Sequence, residues 1–134
     1  MFKKFLALLS LLFFVTACGN AHETPKAATP TDLIGHWHQT KGMHDETMDA
    51  DITSDTIRIH LTMGDSTGVY WIGSFDPNRA ISGAVISLGD TDAMSTQLYA
   101  SNEKTKTFTY KNGDLSYEFS IMGISSTIHL SHGE

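Results

Sequence analysis

Strict alternation of apolar and polar residues is the feature that most limits how this chain can fold. In residues 56–63, Ile57, Ile59, Leu61 and Met63 alternate with Thr56, Arg58, His60 and Thr62. Met48, Ala50 and Ile52 alternate with Asp49, Asp51 and Thr53. Leu115, Tyr117, Phe119 and Ile121 alternate with Ser116, Glu118 and Ser120. Successive side chains of a strand point to opposite faces, so each run reads as a strand with one buried and one wet face. That pattern belongs to antiparallel sheets. Further strands are expected at 34–40, 68–75, 83–88, 106–111 and 125–131. Asn112-Gly113, between two alternating runs, predicts a tight hairpin, since both turn positions need positive φ. Gly64-Asp65-Ser66-Thr67-Gly68 and Asp76-Pro77-Asn78 break the pattern in the same manner. Residues 92–99 show no alternation and fit one short helix. About eight short, evenly spaced strands predict an all-β domain, a small antiparallel up-and-down barrel, with a sandwich as the alternative.

The inward faces are rich in aromatics: Trp37, Trp71, Phe75, Phe108, Tyr110, Tyr117 and Phe119. A barrel of about eight strands is just wide enough to be filled by its own side chains. A packed core is therefore expected over a ligand cavity. Tyr70 and Ile72 flank Trp71 on the opposite face and are expected to form an exposed apolar contact pair.

The first residues have a different character. Lys3 and Lys4 precede an apolar run at 5–15 and then Thr16-Ala17-Cys18, the layout of a secretory signal. The run is too short to span a bilayer comfortably. Val15-Thr16-Ala17-Cys18 resembles the bacterial lipobox. The resemblance implies cleavage before Cys18, diacylglycerol and acyl modification of its thiol, and anchoring to the cell membrane on the extracytoplasmic side. The expected organisation is a signal peptide at 1–17, a lipidated cysteine and flexible tether at 18–31, and the barrel domain at 32–134. Pro25, Pro30 and small polar residues give the tether its composition. Gly19 after the modified cysteine is not an aspartate-type inner-membrane retention signal, which leaves an outer membrane open as a destination. Cleavage would leave roughly 117 residues, enough for one modest core. Cys18 is the single cysteine, so no intramolecular disulfide can form. The formal net charge is −6, and loss of Lys3 and Lys4 makes the remainder more acidic. Such a surface repels nucleic acid and anionic headgroups, so nucleic acid is not an expected partner.

Thr31-Asp32-Leu33-Ile34-Gly35-His36-Trp37 opens the first strand, and Gly35-x-Trp37 resembles the signature that begins lipocalin-type barrels. The resemblance implies a tight entry at the glycine and a tryptophan plugging one end of the core. The arginine that packs over this tryptophan in such barrels has no counterpart in Ile128-His129-Leu130. A second resemblance rests on Ala50-Asp51-Ile52-Thr53, Asp55-Thr56-Ile57, Tyr70-Trp71-x-Gly73-Ser74-Phe75, Lys106-Thr107-Phe108-Thr109-Tyr110 and Gly113-Asp114-Leu115-Ser116-Tyr117. These segments resemble small lipoproteins of Gram-positive bacteria and their temperate phages. That likeness implies superinfection exclusion as a role, with a phage or cell-envelope protein as partner.

Enzymatic signatures are missing: the chain has no Gly-rich phosphate loop, nucleophile elbow or His-Glu-x-x-His helix. It is read as a non-catalytic module without a resident cofactor. Seven histidines remain as the chemistry to place. His36 and His38 flank the inward Trp37 and so face outward, as does His129 by alternation with Ile128 and Leu130. In a closed meander the first and last strands are neighbours, which would gather His36, His38 and His129 into one zinc- or copper-binding patch. His60 faces outward two strand spacings away. His22, His44 and His132 are expected in mobile segments. Asp45, Glu46, Asp49 and Asp51, like Asp90 and Asp92, lack calcium-loop spacing and read as solvated loops and strand edges. The expected function is thus a lipid-anchored binding module. The alternatives are a lipocalin-like carrier of a small apolar molecule and a histidine-based metal-binding lipoprotein.

Overall fold

A computed structural model describes residues 30–79 and 83–133. Cys18, the signal segment, most of the tether and His22 lie outside the described residues. Eight antiparallel strands form a closed barrel in simple sequential order. They are β1 (Gly35–Lys41), β2 (Glu46–Ile52), β3 (Thr56–Met63), β4 (Ser66–Phe75), β5 (Ala84–Gly89), β6 (Thr105–Lys111), β7 (Asp114–Ile121) and β8 (Ile124–His132). Closure comes from β1 pairing with β8, Trp37 opposite His132 and Gln39 opposite Leu130. The barrel expectation holds, and the sandwich alternative does not.

The alternating residues point where the pattern predicts. Met48, Ala50, Ile59, Leu61, Phe108, Ile128 and Leu130 are completely buried. Each large apolar side chain removed from water in this way contributes about 1.5–3 kcal/mol. Asn112 and Gly113 both adopt positive φ (51° and 80°), the expected hairpin geometry. The β7–β8 hairpin uses the same geometry at Met122 and Gly123 (φ 50° and 79°), with the methionine side chain in solvent.

One helical turn, α2 (Thr91–Met94), lies where the pattern lapses, and the Asp90 carboxylate caps it by accepting from the Ala93 amide at 3.0 Å. A second turn, α1 (Pro30–Leu33), begins inside the stretch expected to be tether. Its Leu33 is buried, and the Leu33 carbonyl accepts the Trp37 indole N–H at 2.9 Å. No helix among the described residues is long and apolar enough to cross a membrane.

The expected contact pair Tyr70 and Ile72 is not an exposed apolar pair. Tyr70 is fully buried and Ile72 half-buried. The cause is a β-bulge: Ile59 pairs with Trp71 but His60 pairs with Val69, which leaves Tyr70 as an extra residue. Both Tyr70 and Trp71 therefore turn inward, against the simple alternation. Among the described residues the outer wall instead exposes Ile86 and Leu88 on β5.

Candidate functional site: a histidine–aspartate wall

The period of two places His36 and His38 on the outside of β1, either side of buried Trp37. The β1–β2 hairpin sets His36 opposite Asp51 and His38 opposite Asp49. The next seam sets Asp49 opposite His60 and Asp51 opposite Arg58. Three imidazoles, two carboxylates and the Arg58 guanidinium thus occupy a single outer face of three adjacent strands. His36 Nδ1 lies 2.6 Å from Asp51 Oδ1, and His38 Nδ1 lies 2.6 Å from Asp49 Oδ1. An ionised carboxylate only accepts, so each Nδ1 carries the proton and donates it. His60 Nδ1 is 3.9 Å from the other oxygen of Asp51. The two β1 rings meet edge to face, centroids 4.5 Å apart. About half of each side chain is open to solvent (48% for His36, 52% for His38).

His129 faces outward as expected but does not join this cluster. The bulge in the β1–β8 seam puts it opposite Lys41, while Ser131 stands opposite His38. Three residues of strand separate Lys41 from His38, about 10 Å. His129 Nδ1 instead pairs with Asp114 Oδ2 at 2.8 Å. The expected trio therefore becomes His36, His38 and Asp49, whose ligand atoms lie within 4.8 Å of one another. Asp49 and Asp51 are the partners that sequence reasoning missed. The matching i, i+2 spacing of the two histidines and the two aspartates, across one short loop, carried the signal.

His44 sits exposed in the β1–β2 turn. His132, expected in a mobile segment, ends β8 and lies on the Trp37 ring, centroids 3.9 Å apart. It takes no part in the histidine–aspartate cluster: its Nε2 donates to the Asp32 carbonyl at 2.9 Å. In position it covers Trp37 as the absent arginine would. Gly35, with φ 137° and a Cβ site 3.1 Å from the His132 ring, makes room for this lid.

The opposite end of the barrel is closed by the β5–β6 connection. Met94 of α2 is buried there, and the Ser101 amide donates to the Tyr70 carbonyl at 2.8 Å. Lys106 points into the barrel and is almost wholly buried. Its ammonium lies 5.2 Å, 5.5 Å and 5.8 Å from the Tyr70, Trp71 and Tyr117 ring centres. It donates to the Glu103 carboxylate and, at 2.8 Å, to the Glu118 carbonyl. Burial alone would raise the Glu103 carboxyl, but hydrogen bonds from Lys106 and Ser101 and the Lys106 charge outweigh it. The net effect is a value below the usual range. Burial holds the Tyr117 hydroxyl well above the ordinary phenol value, and its oxygen has no hydrogen-bond partner.

Besides these groups, a cleft of about 520 Å³ runs along the outside of the β4–β5 seam beside Phe75, Arg79, Ile86 and Leu88. No known protein family, curated protein or solved structure is significantly similar to this chain. The fold alone places it among eight-stranded up-and-down barrels.

Proposed function

We propose that this chain is a lipid-anchored, non-catalytic binding module held at Cys18 on the outer side of the cell membrane. The barrel acts through its exterior. The observation that carries this reading is the filled interior: Trp37, Trp71, Tyr70, Phe108 and Phe119 all lie fully buried inside the wall. Packing of that kind supports surface recognition over carriage of an apolar ligand. Ile86 and Leu88, exposed side by side on one strand beside the β4–β5 cleft, are among the apolar side chains available for contact. Isolated exposed apolars are common, but two on one strand beside a cleft form a patch.

The specific role we assign is exclusion of a second phage, through contact with a phage or cell-envelope protein. Cells producing the full chain are expected to adsorb phage normally yet form fewer plaques. The Cys18→Ala variant is expected to lose that protection, and mass spectrometry should find acyl chains on the wild-type amino terminus alone. Unchanged plaque counts over a broad phage panel would remove the exclusion role. An unacylated wild-type terminus would remove the anchor.

A further inference from the structure

We propose that His36, His38 and Asp49 bind one late first-row divalent ion, of the zinc and copper class, on the outer wall of the barrel. The site is independent of the anchor and of any role in exclusion. Two observations converge on it. First, one ligand atom from each residue already lies within 4.8 Å of the others, so small side-chain rotations bring them onto a common ion. All three stand on paired strands of a closed sheet, and the hairpin register fixes their spacing. A rigid support of this kind is what a metal site needs from its scaffold.

Second, the set includes its own supporting group. Asp51 takes the Nδ1 proton of His36 at 2.6 Å, which leaves the Nε2 lone pair of that ring as the donor. A carboxylate behind a ligating imidazole fixes its tautomer and raises its basicity. Asp51 is accordingly a positioning residue, with His60 3.9 Å from its second oxygen. Gly133 packs close beside the same rings: a Cβ there would meet His38 Cδ2 and Nε2 at 2.6 Å, so a larger residue would displace His38.

Two imidazoles and one carboxylate suit zinc and copper far better than calcium, which prefers oxygen ligands throughout. Both β1 side chains are about half exposed, so water completes the coordination shell. Copper(II) should bind more tightly than zinc, following the general order of divalent affinities. His129 takes no part, since it is held by Asp114 at a different level of the β1–β8 seam.

Calorimetric titration of the full-length chain in detergent, first with Zn²⁺ and then with Cu²⁺, tests this. One ion per chain at micromolar affinity or tighter is expected, with copper the stronger. His36→Gln and His38→Gln should each weaken binding at least tenfold, and Asp51→Asn by about tenfold. His129→Gln should change nothing. Nitrogen-15 shifts of the wild-type imidazoles give a readout that needs no variant: Zn²⁺ should move His36 and His38 and leave His129 in place. Absence of heat, millimolar affinity, or undiminished binding by the His36→Gln/His38→Gln double variant would overturn the site. So would ring shifts confined to other histidines.

Discussion

At the Trp37 end the barrel is stoppered by an indole, whereas at the α2 end an ammonium group lies among aromatic rings. Trp37 fills the first opening, bonded to the Leu33 carbonyl, edge-on to Tyr110 and covered by His132. Lys106 fills the second, with Tyr70, Trp71 and Tyr117 around its charge and Glu103 at the rim. Both solutions put a large side chain where the sheet cannot close on itself. They differ in what must be satisfied. An indole needs one acceptor, while a desolvated cation needs charge, hydrogen bonds and π-faces together. The Trp37 end should therefore depend on volume, and the charged end on both packing and pH.

The largest expected effect lies at the Trp37 end. Trp37→Ala should cost about 3–5 kcal/mol in denaturant unfolding, because it opens a cavity and strands the Leu33 carbonyl. A loss below about 1 kcal/mol would show that α1 and His132 close that end without it. At the other end, Lys106→Ala should cost about 2–4 kcal/mol through lost stem packing and lost cation–π attraction. Lys106→Met keeps the stem and should cost about half as much. If the methionine variant matches wild type, packing and not charge closes that end, and the contrast between the two ends collapses.

The smallest effect is a pH dependence. The Glu103 carboxyl titrates below its ordinary value near 4.5 when folded. Its pairing with Lys106 therefore stabilises the fold fully above that ordinary value. The contribution is lost as pH falls through the lowered folded value. Glu103 is 44% exposed, so solvent screening keeps the effect small. Unfolding midpoints measured from pH 6 down to pH 3 should fall less for Glu103→Gln than for wild type. Parallel curves for the two proteins would show that the pair contributes nothing.

Much of the barrel was legible because its strands obey the period of two. The 56–63 segment was placed with both bounds intact, and the Asn112-Gly113 hairpin formed with the geometry those residues favour. The Met122-Gly123 hairpin was not legible, since methionine carries no preference for positive φ. Tyr70 was misplaced because a bulge shifts the alternation by one residue. Bulges arise from pairing with a neighbour and leave little trace in one strand's sequence. The outward direction of His36, His38 and His129 was legible too. Their grouping was not, because neighbourhood across a seam depends on register.

The sequence by itself determined the fold class, the buried aromatic face, the absence of an intramolecular disulfide and the outward histidines. All of these follow from local periodicity and composition, which need no knowledge of distant partners. Only the tertiary structure decided that Asp49 replaces His129 beside His36 and His38, that His132 covers Trp37, and that Lys106 lies inside. Each depends on which residue of one strand stands opposite which residue of another. That register is set by barrel closure and by two bulged seams acting on the whole sheet at once.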